Sequence, residues 1–437
     1  MEEEPNPKAE PEEPSTRGVV TRRRFIGLLA GGVALGGYRL SGIDPPPKLA
    51  TIELSPAARA LLARAWEGLD PAKVVDVHVH VLGLGVGGTG CSVHPDATSV
   101  RSPVRLLKTR IYKGAAGIHD DARADALFME RLTDLAAHFG PSRKPGARFL
   151  LLAFDQHHDD AGRPVPARTE FHTPDAYVLQ LAAARPDLFL AAASIHPYRA
   201  DALDALARAA EEGAVAVKWL PNAMGMDPLD PRCDRFYAQM RELDLTLLTH
   251  AGEEQAVHAE EAQELGNPLR LRRPLDQGVR VIVAHCASLG ASRDLDAQAD
   301  GAGERPRVSS YALFRRLADE PRYRGRLFGG LSAMTQFNRC GEPLRQTLTS
   351  PALHPLLVNG SDYPLPAIDP LVRTGLLVSE GYLDPGERAA MNELYAWNPL
   401  AFDFALKRRL RVVQDGVEHR LPASAFETAR LLPRALG

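Results

Sequence analysis

Cysteine is scarce in this chain: Cys91, Cys233, Cys286 and Cys340 are scattered over 437 residues with no C-x-x-C spacing. So few thiols do not make a disulfide scaffold, and they read as buried or incidental. A large excess of either charge is also missing. The formal net charge of -3 gives no ground for a nucleic-acid partner, and none is expected. Long hydrophobic runs are lacking too. The most apolar stretch, from Phe25 to about Gly37, covers roughly a dozen residues and is too short for an ordinary spanning helix. What remains is the usual globular balance, 45% hydrophobic with 24% charged, in a chain long enough for a sizeable core. Length admits one large barrel with insertions or two ordinary domains.

The first fifty residues differ from the rest. Met1 to Thr16 is rich in Glu and Pro and is expected to be disordered. Thr21-Arg22-Arg23-Arg24-Phe25-Ile26 then leads into the glycine-rich apolar run, which is the layout of a signal peptide. The arginine pair before Phe25 resembles a twin-arginine export signal. No A-x-A cleavage site follows, so the expectation is a periplasmic or exported protein that the uncut segment can anchor to the membrane. A basic amphipathic tail is the simpler reading. Ile43-Asp44-Pro45-Pro46-Pro47 reads as the linker to the folded body.

From residue 51 onward one theme repeats. Short apolar, β-branched runs occur at Val74 to His80, Phe149 to Phe154, Leu188 to Ile195, Ala214 to Leu220, Leu245 to His250, Val279 to His285, Leu327 to Leu331 and Leu356 to Val358. Stretches with helical periodicity, such as Asp201 to Glu212 and Asp234 to Leu243, separate them. Strands that are nearly continuous in apolar residues and alternate with helices imply a parallel sheet covered by helices. Eight of them close a barrel, so the expected fold is α/β, a (β/α)8 TIM barrel over residues 51–404. An open doubly wound sheet is its competitor. Val81 to about Ala147 is a long insertion after the first strand, of the kind that forms a lid. Residues 405–437 are expected to be a small C-terminal extension of hairpin and helix, with the hairpin turning at Asp415-Gly416 outside the barrel.

The polar residues with metal-binding chemistry fall at the C-terminal ends of these strands. His78 and His80 end the first, Lys218 lies near the end of the fourth, His250 ends the fifth, His285 the sixth, and Asp362 follows the eighth. Parallel barrel strands bring those ends to one mouth, where such folds carry their chemistry. His78 and His80, two apart on a strand, project from one face and can chelate one ion. Imidazoles and a carboxylate suit a divalent, zinc-like cation, and an incomplete ligand set leaves room for a water of lowered pKa. Asp362 would ligate the ion or take the proton of that water, and His285 would ligate or polarise a carbonyl. Lys218 shares its expected strand face with Ala214 and Ala216, opposite Val215, Val217 and Trp219. Carbamylated, it would bridge two ions; unmodified, it would supply charge for substrate binding. Each residue also has a plainer reading, as a hydrogen-bonded histidine, a snorkelling lysine or a turn aspartate. Gly85-Val86-Gly87-Gly88-Thr89-Gly90 matches a dinucleotide fingerprint in form, but without the helix and acidic residue that fingerprint needs it reads as a lid hinge. His157-His158-Asp159-Asp160 reads as a solvated loop, with a second metal site or substrate contacts as its alternatives. His196 and Tyr198, after the third strand, are candidate substrate contacts.

Taken together, Val75-Asp76-Val77-His78-Val79-His80, Val217-Lys218-Trp219-Leu220-Pro221, Leu248-Thr249-His250-Ala251-Gly252, Val283-Ala284-His285, Gly360-Ser361-Asp362-Tyr363-Pro364 and Trp397-Asn398-Pro399 resemble the amidohydrolase superfamily, in its amidohydrolase-related branch, from about Val74 to Phe404. The resemblance implies that His78, His80, His250 and Asp362 are metal ligands or catalytic, with His285 beside the metal. It also implies that Lys218 corresponds to the carbamylated lysine of two-metal members, while one-metal members lack that modification. The expected activity is hydrolysis of a carboxylic ester, lactone, amide or related bond in a small-molecule substrate by metal-activated water. Non-oxidative decarboxylation, which the branch also contains, is one alternative, and a non-catalytic, metal-containing periplasmic binding protein is the other. The export machinery and a second copy of the chain, in a homo-oligomer, are the expected macromolecular partners. If the leader is read by the twin-arginine pathway, replacing Arg22 and Arg23 together by lysine leaves the protein in the cytoplasm. Cell fractionation of the double variant checks this, and unchanged periplasmic recovery would refute it.

Overall fold

Eight parallel strands pair in chain order in a computed structural model that describes residues 46–142, 146–257, 259–301 and 303–435. They are β1 (Val75–His80), β2 (Arg148–Leu152), β3 (Phe189–Ala193), β4 (Ala214–Trp219), β5 (Thr246–Thr249), β6 (Val281–Val283), β7 (Leu327–Gly330) and β8 (Leu357–Val358). Each corresponds to one of the eight apolar runs. β8 continues as an extended segment that closes the barrel onto β1: Val77 N donates to Asn359 O, Asp362 N to His78 O and His80 N to Tyr363 O, at 3.1, 2.8 and 3.0 Å. The open-sheet alternative is thereby excluded, and the fold is a TIM barrel. The leader and its arginine pair lie outside the described residues. Among those described, no helix is long and apolar enough to cross a membrane.

Two strands do not alternate as an unbroken pleat would. Between Asp76 and Val79, β1 advances three residues while β2 advances two, from Phe149 to Leu151. In β4, Ala214 and Ala216 pair with the successive residues Ala191 and Ala192 of β3. Each extra residue is a bulge that resets the side-chain phase. Val75 and Val77 pack in the inner cluster with Leu150, Ile282 and Phe328, yet His78 and His80 above the bulge also turn inward. The expected face of Lys218 is corrected in the same way. Ala216 shares the interior as expected, but Val215 joins it, while Ala214 packs outside with Val217 and Trp219.

The insertion after β1 holds helix Pro103–Ala115, helix Ala124–Ala137 and a short strand, Ser92–Val93, paired antiparallel with Phe171–His172. Its glycine run is drawn around one carboxylate. Asp125 accepts from the amides of Leu84, Gly85 and Val86 and from Thr89 Oγ1. Gly85, at φ +84°, could not carry a Cβ, which would lie 2.5 Å from Cys91 O. These amides are turned onto the protein's own anion, so the run is a closed turn and not the flexible hinge expected of it.

At the other end, helix Pro399–Arg409 runs across residue 404 and is followed by the hairpin Val412–Gln414 and Val417–His419. In place of a terminal helix come 3-10 turns at Ala423–Ala425, Thr428–Leu431 and Pro433–Ala435. They plug the lower mouth of the barrel. Ala429, Leu431 and Leu432 complete the inner cluster, and Thr246 Oγ1 donates to Leu431 O at 2.7 Å. Truncating the plug opens a cavity in the innermost core, so Leu432→Ala should lose about 2–5 kcal/mol in urea unfolding. Val413→Ala, on the hairpin and 62% exposed, should change stability by less than about 0.5 kcal/mol.

Candidate metal centre

The bulge in β1 and the closing segment after β8 bring three donors together. His78 Nε2 lies 3.1 Å from His80 Nε2 and 3.1 Å from Asp362 Oδ1, which is 3.2 Å from His80 Nε2. The group is held from behind. The Asp76 carboxylate accepts from His78 N at 3.0 Å and Ser361 N at 2.8 Å, tying β1 to the turn that carries Asp362. Beneath that turn, buried Lys407 donates to Gly360 O and to Asp403 Oδ2, both at 2.6 Å. Gly360 is required there because a Cβ would come within 2.8 Å of His78 Cβ.

The other expected residues surround this group. Lys218 Nζ is 3.2 Å from His78 Nε2. His285 Nε2 is 3.9 Å from Asp362 Oδ2, and its ring lies 5.3 Å from that of His250. His250 Nδ1 faces Glu254 Oε2 at 3.4 Å. Two of these side chains are aimed by unusual backbone, since His285 has φ 57° and Asp362 φ 67°. For non-glycine residues this conformation costs on the order of 1–3 kcal/mol each, a strain that persists where surrounding structure over-determines it.

Burial decides the charge states. It drives His78 and His285 well below the usual imidazole value, with the Lys218 ammonium adding to the effect on His78, and it lowers His250 to about 4. These imidazoles are neutral, which is the ligand form. Burial also lowers Lys218 to about 8. For Asp362 burial acts upward, but a proton held by the cluster sits on the imidazoles, and the charge this puts on His78 and His285, with the hydrogen bond from His80, outweighs burial and holds the carboxyl well below the usual range. An anionic oxygen and two imidazole nitrogens crowd one point, and a single proton can bridge only one pair of them at a time. A divalent cation satisfies all three. His250 Nε2 and His80 Nδ1, both buried, have no hydrogen-bond partner among the described residues. The donor set therefore fits such an ion, with His78, His80 and Asp362 as the group whose ligand atoms lie within 4.8 Å of one another.

Above the centre the cavity walls are apolar, with Phe154, Phe171, Leu220, Val257 and Leu365 prominent. Arg105, Lys108 and Tyr112 of helix Pro103–Ala115 line the mouth. Arg105 is paired to Glu170 at 2.8 Å, and Lys108 Nζ donates to Ala256 O at 2.9 Å. Sequence reasoning missed these residues, although their spacing on one face of a helix inside the insertion was readable. It also missed Glu254, four residues past His250 in the loop after β5, and Ser332, just beyond the seventh strand.

His196 and Tyr198 are not brought to this cavity. Tyr198 N donates to His196 Nδ1 at 3.2 Å, and the His196 ring lies 4.6 Å from that of His158. The Tyr198 hydroxyl donates to Asp230 at 3.2 Å beneath the stacked guanidinium of Arg232. His157 and His158 are buried and bonded through Nδ1 to Ala223 O and Gln156 O, so of this loop only Asp159 and Asp160 reach solvent.

Because the three donors sit at the mouth and above the packed interior, His78→Ala should lose bound zinc while keeping its far-UV circular dichroism. Elemental analysis of purified protein checks this, and wild-type zinc content in the variant would refute the centre.

No curated protein matches the chain. Among solved structures, an uncharacterized TIM-barrel protein from Bordetella bronchiseptica is 13% identical, covering 83% of this chain and 99% of its own, with a TM-score of 0.47. A 5-carboxyvanillate decarboxylase from Sphingomonas paucimobilis is 12% identical over 82% of this chain and 98% of its own, at 0.44. A probable 2-pyrone-4,6-dicarboxylic acid hydrolase from Acinetobacter baumannii is 14% identical over 67% and 84%, at 0.37. The family model described as Amidohydrolase matches residues 75–326, more than half of the sequence, and the chain belongs to the amidohydrolase family.

Proposed function

We propose that the chain is a metal-dependent hydrolase that splits a carboxylic ester, lactone, amide or related bond with water. The observation that supports it most directly is the convergence of His78 Nε2, His80 Nε2 and Asp362 Oδ1 beneath an apolar cavity. His78, His80 and Asp362 would hold a divalent cation, zinc in the leading reading, with His250, His285 and Lys218 beside them. When bound, the cation supplies Lewis acidity and lowers the pKa of water.

The chain's own residues do the rest. Asp362 is ionised, and its Oδ1 faces the two histidines, so Oδ2 is the atom that takes a proton from water and returns it to the leaving group. Lys218 directs positive charge at the oxygen that becomes negative. The walls around Phe154 and Phe171 shelter the reacting bond from bulk water and accept the apolar part of a small-molecule substrate. Carbamylation of Lys218 belongs to the two-ion form of this proposal. A buried amine whose pKa is about 8 is partly free base near neutrality and can add carbon dioxide, and the carbamate is an anion that cations stabilise. The twin-arginine leader is the ground for proposing that the enzyme acts outside the cytoplasm.

Non-oxidative decarboxylation is the second reading, and the observation on its side is that Arg105 and Lys108 line the cavity, where Arg105 is already paired to Glu170 and would have to exchange that partner for a substrate carboxylate. Turnover in oxygen-18 water separates the two readings. With zinc-loaded protein and a panel of esters, lactones and amides beside carboxylated aromatic compounds, hydrolysis should put the label into a product carboxylate. Asp362→Asn should lower kcat by about 10²–10⁴-fold. Release of carbon dioxide from the carboxylated compounds, with no labelled product from any ester, lactone or amide, would sink the hydrolase. In the two-ion form, Lys218→Ala should lose an ion and regain part of its activity with added short-chain carboxylates. Full activity and wild-type metal content without additive would leave a one-ion site.

A further inference from the structure

Ser332 follows β7 and is fully buried, with its hydroxyl between two imidazoles. Its Oγ lies 3.1 Å from His78 Nδ1 and 2.9 Å from His285 Nδ1. Its own carbonyl oxygen is 3.0 Å from His285 Nδ1. The two rings stack at 5.2 Å with 26° between their planes. A carbonyl oxygen can only accept, so neutral His285 carries its proton on Nδ1. Its Nε2 then keeps a lone pair on the side facing Asp362 Oδ2, 3.9 Å away.

The hydroxyl has one proton and two ring nitrogens beside it. With His285 already satisfied by the carbonyl, the hydroxyl can serve His78 in either sense. It donates to His78 Nδ1 while Nε2–H faces Asp362 Oδ1, or it accepts from Nδ1–H when Nε2 must offer a lone pair to a cation. In passing from one to the other the ring loses a proton at Nε2 and gains one at Nδ1 by exchange with solvent. Its charge is unchanged, and no heavy atom has to move.

We infer that Ser332 is the positioning residue that sets the ring tautomers of both His78 and His285. Its carbonyl fixes His285 as a base toward the centre and its hydroxyl adapts His78 to cation binding. His285 consequently meets a substrate as a hydrogen-bond acceptor and not as the donor that would polarise a carbonyl. The hydroxyl's role rests on the reading of His78 as a ligand; the carbonyl's does not. Partners of this kind on ligating histidines are typically worth about 10–100-fold in metal affinity.

Two-bond proton–nitrogen spectra of protein labelled with nitrogen-15 histidine report tautomers directly, with His78→Gln and His285→Gln for assignment. The metal-free wild type should show Nδ1–H on His285, and zinc-loaded protein should show Nδ1–H on His78 while leaving His285 as it was. In Ser332→Ala, His285 should keep its tautomer because the carbonyl remains, and the zinc dissociation constant from chelator competition should rise about 10–100-fold. Ser332→Thr, which keeps the hydroxyl, should restore most of that loss. Nε2–H on His285 in the metal-free wild type would overturn the inference, and so would unchanged zinc affinity in Ser332→Ala. The wild-type spectra decide the His285 assignment even if the alanine variant does not fold. A wild type that bound no zinc would overturn the metal reading and the hydroxyl's role with it, while the metal-free tautomer of His285 still decided the carbonyl's.

Discussion

The seam between β1 and residues 359–363 is the contact on which the rest of the site depends. Backbone hydrogen bonds from Val77, Asp362 and His80 close the barrel there, and the same bonds carry Asp362 to within 3.1 Å of His78 Nε2. Closure of the fold and assembly of the centre are one event. The Asp76 carboxylate, shared between the amides of His78 and Ser361, and the Lys407–Asp403 pair below Gly360 lock the seam from the outer side. Burying such charges is expensive, and a buried ion pair is weak evidence for stability. Here the pair holds a carbonyl and a carboxylate in register with the strand that carries two candidate ligands, which gives it a positional use.

Desolvation shapes the chemistry more than any single charge does. Every imidazole of the centre with a clear shift is moved downward, and burial is the first cause in each case. The result is a set of neutral nitrogen donors around one ionised carboxylate, the combination a borderline divalent cation prefers. The left-handed backbone at His285 and Asp362 belongs to the same economy. Those residues depart from ordinary strand geometry because their side chains must turn from the barrel wall toward a common point.

The roof follows from the insertion after β1. One face of helix Pro103–Ala115 brings Arg105, Lys108 and Tyr112 to the mouth, and Lys108 grips the loop after β5 through Ala256 O. This part of the cavity lining is set by loops and not by the barrel.

Much of this was legible in the chain. Apolar runs of strand length announced eight parallel strands, because a strand buried on both faces must be apolar throughout, and histidines or an aspartate at their C-terminal ends announced the mouth. His78, His80, Lys218, His250, His285 and Asp362 could be named from that rule alone. Sequence spacing could not reveal the two bulges that put Val77 and His78, or Val215 and Ala216, on the same side of the wall, since a bulge is defined by a partner strand and not by the strand itself. Nor could it separate His196 and Tyr198, at an equally suitable strand end, from the residues that reach the cavity, because that depends on which neighbours claim their polar atoms. Ser332, Asp76 and Lys407 lay out of reach for a related reason. Their partners are 254, 285 and 47 positions away in the chain, and only the closed barrel makes them neighbours.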